Sequence, residues 1–153
     1  MTSKNILIIY HSQGGNNLKL ARACQSGVEK EEGVTVRLQQ AFDTDLEDVK
    51  WSEGVIIVTP EYFGYMSGAM KDFFDRTYYP SRELNLQRPY CLAICCENDG
   101  EGAKRNIEKL ASGYILKPVQ ETLIIHEHEL DARIIEGEEL GRTFAAGLLM
   151  GIF

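Results

Sequence analysis

The chain has 153 residues, 44% of them hydrophobic and 25% charged, which suits one globular domain over residues 1–153 and leaves little room for two. Sixteen Lys and Arg against 23 Asp and Glu give a net charge of −7, which argues against nucleic acid, whose binding runs on cations that neutralise phosphates. No apolar run reaches the length of a membrane helix, Ile6 to Tyr10 is too short for a secretory core, and the cysteines at 24, 91, 95 and 96 lack CxxC or zinc-ligand spacing, so the expectation is a cytoplasmic protein with reduced thiols, no metal and no membrane association.

Asn5 to Tyr10 is a continuous apolar run rich in β-branched residues, the pattern of a strand covered on both faces. A polar, glycine-containing turn follows, and from Asn17 the spacing becomes helical through Leu20, Ala21, Cys24 and Val28 until Gly33. Val34 to Leu38 reads as a second strand, and Leu46 and Val49 fit a short helix capped by Asp43 or Thr44. Gly54 to Val58 is a third strand. Ser67 can cap the next helix, whose apolar positions Met70, Phe73, Phe74, Thr77 and Tyr78 run up to Pro80, expected to end it. Tyr90 to Cys95 gives a fourth strand, and Ala103, Ile107, Leu110 and Ala111 a fourth helix stripe. A fifth strand falls within Val119 to Ile125, and Glu127 to Ile135 reads as a strand extension or a loop. The last helix carries Leu140, Phe144 and Leu148.

Strictly alternating strands and helices predict an α/β fold of three layers, a doubly wound, five-stranded parallel sheet of order 2-1-3-4-5, because parallel neighbours need right-handed crossovers. Such sheets bind ligands beyond the carboxyl ends of their strands, here strands one, three and four. In the first of these loops, Ser12-Gln13-Gly14-Gly15-Asn16-Asn17, the glycines let several backbone N–H groups converge, and Ser12, Asn16 and Asn17 add donors at a helix N-terminus. No Lys or Arg is present, so an anion there would be balanced by dipoles alone. The patterns GxxxxGK[ST] and GxGxxG are missing, and Gln39 and Gln40 stand where a dinucleotide site wants an acid. Taken alone, the loop fits either an anion cradle or a turn that only reverses the chain.

The second loop, Thr59-Pro60-Glu61-Tyr62-Phe63-Gly64-Tyr65-Met66-Ser67-Gly68-Ala69-Met70-Lys71, sets three aromatics where a flat heterocycle could lie; the alternative is that they pack as a cluster under the loop. Here the chain resembles the flavodoxin-like flavoproteins, and within them the NAD(P)H-dependent FMN or quinone reductases. The resemblance rests on Ser12, Gly15 and Asn16 of a Ser-x-x-Gly-Asn-Thr loop and on nearly all of a Thr-Pro-x-Tyr/Arg-Phe-Gly-x-Met-Ser-Gly-x-Met-Lys segment, continuing through Phe73, Asp75, Arg76 and Thr77.

The resemblance implies that Ser12, Gln13, Gly14, Gly15, Asn16 and Asn17 hold an FMN phosphate. Pro60, Glu61, Tyr62, Phe63 and Gly64 would line the ring, and Cys96, Glu97, Asn98, Asp99 and Gly100 would touch its pyrimidine edge. Backbone N–H groups of residues 62–64 and 98–100 would answer negative charge on the ring. The implied function is FMN-dependent transfer of a hydride from NADPH or NADH to a quinone or similar small acceptor. The alternative is a flavodoxin-type electron carrier docking onto a redox partner protein through its acidic surface. Asn17 stands where threonine is usual, and position 98 lacks an aromatic; the second departure favours the enzyme. Tyr65, Met66, Tyr78 and Tyr79 are candidates for a homodimer interface.

Four further features are open to more than one reading. His11 either serves the site or satisfies a strand end. His126 and His128 fall on one side at strand spacing, though two ligands make no metal site. Cys91 and Cys95 read as core, with Cys96 open to a redox role. Glu61 and Glu97 are expected to face water.

Overall fold

In a computed structural model that describes residues 3–153, the apolar runs form the middle of a parallel sheet. Met1 and Thr2, inside the expected domain range, lie outside the described residues. The elements are β1 (Lys4–Tyr10), α1 (Asn16–Glu29), β2 (Val34–Gln40), a 3-10 turn (Ala41–Asp43), α2 (Leu46–Trp51), β3 (Gly54–Thr59), and a hairpin of β4 (Glu61–Tyr62) and β5 (Tyr65–Met66). There follow α3 (Gly68–Ser81), β6 (Arg88–Cys96), α4 (Glu101–Ser112), β7 (Leu116–Pro118), β8 (Leu123–His126), a second 3-10 turn (Glu127–Glu129) and α5 (Leu130–Leu149).

The sheet order is β2-β1-β3-β6-β7, with β8 also paired to β6, all parallel. The 2-1-3-4-5 order expected from alternation therefore holds, with one refinement: the fifth position is shared by two short strands. β7 pairs with Arg88–Tyr90 and β8 with Ala93–Cys96. The strand expected within Val119 to Ile125 is β8, which begins only after the polar Gln120-Glu121-Thr122, while β7 lies ahead of that range and was not anticipated.

Because strand side chains alternate between faces, the central strands feed two cores. Leu7, Ile9, Val55 and Ile57 pack with Met70, Phe73 and Ile107 on one face. Ile6, Ile8, Ile56 and Val58 pack with Leu20, Cys24 and Phe144 on the other. On this second face α1 and α5 touch backbone to backbone: a Cβ on Gly27 would lie 1.9 Å from Glu138 O, and one on Gly141 would lie 2.1 Å from Cys24 O. Only glycine fits at either point.

Several local expectations are corrected. The α2 cap is Asp45, whose carboxylate accepts the Asp48 N–H while Asp48 returns a bond to the Asp45 N–H, a reciprocal box that neither Asp43 nor Thr44 could build. Ser67 caps α3 as expected, accepting the Met70 N–H at 3.2 Å. Pro80 lies inside the last turn rather than ending the run, which stops one residue later. Residues 127–135 are neither strand nor loop; they are a 3-10 turn leading directly into a 20-residue helix. Met66 is buried in the first core, which removes it from any docking face, whereas Tyr79 is exposed and Tyr78 marginally so. No helix among the described residues is long and apolar enough to cross a membrane.

Candidate functional site

The register places Tyr10 opposite Gln40 and Val58, and Thr59 opposite Ile94, so the loops after β1, β3 and β6 leave the sheet at one edge. They enclose an open cleft of about 480 Å³, inside the span of about 300–1,000 Å³ usual for small-molecule sites. The first loop contributes Ser12, Gln13, Gly14, Asn16 and Asn17 to its wall. The second contributes Pro60, Glu61, Tyr62 and Phe63, and the third Cys96, Glu97 and Asn98. Sequence reasoning assigned all of these. Cys95 and Glu127 also line the cleft and were missed. Glu127 follows the last strand on the same edge, a signal hidden while that segment had no assigned structure.

Four expected residues support the wall without forming it. Gly15 takes the left-handed conformation, φ +101°, as the N-cap of α1, and its N–H donates to Ser12 Oγ at 3.1 Å. The first helical bond runs from Lys19 N–H to Gly15 O, so the N–H groups of Asn16, Asn17 and Leu18 precede the helical ladder and face the loop end. Asp99 Oδ1 accepts the Glu101 N–H. Gly100 donates its N–H to Glu61, and Gly64 packs on Gly102, where a Cβ would lie 2.0 Å from Gly64 O.

Two side chains are engaged differently from the expectation. Asn17 is 4% exposed; its Nδ2 donates to Cys95 O and its Oδ1 accepts the Cys95 N–H, both at 3.0 Å. Its amide is therefore committed to β6, and only its backbone N–H is left uncommitted in the loop. Glu61, expected to face water, is half-buried at the cleft wall and its carboxylate is engaged by backbone. Its Oε1 accepts from Gly100 N–H at 3.2 Å, and its Oε2 from Gly102 N–H at 3.1 Å and Ala103 N–H at 3.3 Å. The carboxylate thus satisfies the orphan donors at the start of α4, and it takes the Gly100 N–H expected to face a ring.

Tyr62 and Tyr65 pair across the hairpin, with Phe63 at φ +54° and Gly64 at φ +72° forming its two-residue turn. Positive φ at both positions is what such a turn needs for its strands to follow the sheet twist. The aromatics divide between the two readings: Tyr65 packs against the core and Phe63 is fully exposed at the mouth. Tyr62 stands edge-on to His11 at 6.3 Å, and Phe42 also meets His11 edge-on at 6.1 Å. Burial holds the His11 imidazole below its ordinary value, and its Nδ1 finds no hydrogen-bond partner among the described residues.

The thiols are proton-loaded. Burial first, then Glu127, pushes Cys95 up to about 11. Burial first, then Glu61, pushes Cys96 up to about 12, and its Sγ–H donates to Asn98 O at 3.3 Å. Thiolate, the reactive form, is disfavoured at both. Glu97 is exposed as expected. The rings of His126 and His128 meet with centroids 4.1 Å apart, although a 3-10 turn rather than a strand brings them together. Among the described residues the cleft wall carries the carboxylates of Glu61, Glu97 and Glu127 and no Lys or Arg; Lys19, in the first turn of α1, is paired with Asp131.

Comparison with known proteins follows the same outline. A curated flavodoxin of Aquifex aeolicus is 37% identical over 70 residues, 46% of this chain and 38% of that protein. An NAD(P)H dehydrogenase (quinone) of Solidesulfovibrio magneticus is 27% identical over 97 residues, 48% of each chain. The match thus spans less than half the length of these two relatives. The solved structure of a flavodoxin from the domain Archaea superposes with a TM-score of 0.82 at 22% identity, covering 94% of this chain and 98% of that one, and so shares its fold. The family model described as NADPH-dependent FMN reductase matches residues 5–117, a stretch that includes all three loops of the cleft and nearly the whole sheet. On that match, the chain belongs to the NADPH-dependent FMN reductase family.

Proposed function

We propose that the cleft is an FMN site, with Ser12 to Asn17 holding the phosphate, Pro60 to Gly64 lining the ring and Cys96 to Gly100 at its pyrimidine edge, and that the chain acts as an oxidoreductase. The observation that carries this reading is the convergence of three loops, separate in sequence, on one cleft whose phosphate end is a glycine-capped helix N-terminus. The donor set fits the group: the free first-turn N–H groups of α1, the Ser12 hydroxyl and the Asn16 amide, which also reaches Glu127 Oε2 at 3.5 Å, suit an anion. Pro60, Tyr62 and Phe63 offer apolar and aromatic surface to a flat heterocycle.

Bound there, the flavin would supply two-electron redox chemistry between NADPH or NADH and a quinone or similar small acceptor. The chain's own residues do the rest. Asn17 ties the first loop to β6, so the anion end and the third loop keep a fixed spacing. Tyr62 and Phe63 would shield a bound ring from water and leave the mouth open for donor and acceptor. Burial favours the protonated form of the Cys95 and Cys96 thiols, the less nucleophilic one.

The test is rapid mixing of FMN-loaded protein with NADPH and with NADH, followed at the flavin absorption band. Bleaching by one donor, and recovery on adding a quinone, are expected; no bleaching by either sinks the oxidoreductase reading. The relatives called flavodoxin favour a second reading, a carrier that exchanges single electrons with a redox partner protein, and a titration resolving two well-separated one-electron steps would support it.

A further inference from the structure

We infer that Glu61 is a positioning residue for this pocket: its carboxylate latches the β4–β5 hairpin onto the N-terminus of α4 and, by occupying the donors there, withholds them from whatever lies in the cleft. The inference rests on the FMN reading for its consequence, and on the hydrogen bonds alone for the latch.

Three backbone N–H groups, of Gly100, Gly102 and Ala103, converge on the two carboxylate oxygens within 3.1–3.3 Å. The same end of α4 touches the tip of the hairpin, where Gly64 O lies so close to Gly102 that no side chain fits. At the other end the Thr59 hydroxyl accepts the Ser67 N–H at 3.3 Å. The hairpin is thus held at its base, at its first strand and at its tip, which accounts for an aromatic residue persisting at φ +54°, a conformation L side chains adopt only at a cost. The helix end these donors belong to carries about half a positive charge. With Glu61 in place that charge is already answered, and the Cys96 thiol, which also lines the pocket, feels burial first and the Glu61 carboxylate second, both raising its pKa.

For bound FMN the consequence is directional. Reduction adds negative charge to the ring, and here it would meet a carboxylate instead of free N–H groups. Glu61 therefore weakens binding of the reduced flavin relative to the oxidised one.

Two measurements on wild type, E61Q and E61A test this. In the flavin-free protein, amide hydrogen exchange at residues 100–103 is expected to rise at least tenfold in E61A, with E61Q between it and wild type; unchanged exchange overturns the latch. In the FMN-loaded protein, E61Q is expected to favour the reduced flavin about tenfold, read as a potential about 30 mV more positive for a two-electron couple. An unmoved potential in an E61Q protein that binds FMN overturns the directional role and leaves the FMN site standing. Wild-type protein that binds no FMN overturns the FMN site and the directional role together, while the exchange result still decides the latch.

Discussion

Asn17 and Cys95 are joined as two paired strands would be, with the side-chain amide of one donating to and accepting from the backbone of the other at 3.0 Å each way. The bond pair links the first turn of α1 to the end of β6, 78 residues away in sequence. It ties the first loop of the cleft to the strand that carries its third loop.

Removing that link strands two buried backbone groups, each costing about 1–3 kcal/mol when left unmade. Asn17→Ala is therefore expected to lower unfolding stability by about 3 kcal/mol in urea titrations. Asn17→Asp should be at least as harmful, because an acceptor would then oppose Cys95 O. A change within error in both variants contradicts the account.

Gly102 tests the seat of the hairpin. A methyl group there would lie 2.0 Å from a backbone oxygen of Gly64, which cannot rotate aside as a flexible side chain would. Gly102→Ala is expected to cost about 3 kcal/mol, at the upper end for overpacking, and to weaken FMN binding at least tenfold by moving the second loop. Fluorescence titration and thermal melts read the two effects separately.

Phe63 stores strain where the pocket opens. Phe63→Asn, which tolerates φ +54° far better, is expected to stabilise the flavin-free protein by about 1 kcal/mol and to loosen FMN, since it removes a fully exposed ring from the mouth. A variant that gains no stability, or that binds FMN as tightly as wild type, refutes the functional reading of the strain.

The buried acids set an alkaline limit. Burial pushes Cys24 and Cys96 up to about 12 and Cys95 to about 11 from an ordinary 9.0, and Tyr90 to about 12 from 10.0. Above pH 9 the unfolded chain releases protons that the folded chain keeps. Stability contributed by these groups is thus complete below pH 9 and declines as pH rises towards 11–12. Urea midpoints at pH 8, 9, 10 and 11 should fall progressively, and Cys24→Ala should flatten the fall; a constant midpoint would contradict the protonated core.

Much of this architecture is legible in the sequence because its signals are physical and local. The runs Ile6–Tyr10 and Gly54–Val58 announce doubly covered strands, Ser67 announces a cap, and Ser12 to Asn17 lies at a strand-to-helix junction. The misses have a common origin in interactions between residues far apart. Nothing near Glu61 indicates that three N–H groups of another loop will surround it, and nothing near Asn17 foretells Cys95. The hairpin escaped notice because its strands are two residues each, too short for any periodicity. The start of α5 was hidden because Glu127-His128-Glu129 has no apolar stripe until the helix packs against the second core.

A mouth walled by carboxylates and closed at its inner end by peptide dipoles treats an arriving phosphate in two opposite ways according to range. At a distance the chain's net charge of −7 repels it; within one helical turn the aligned amides attract it. Encounter should consequently quicken as ionic strength rises, while the escape rate stays nearly constant, the reverse of the salt response of pockets built from lysine and arginine.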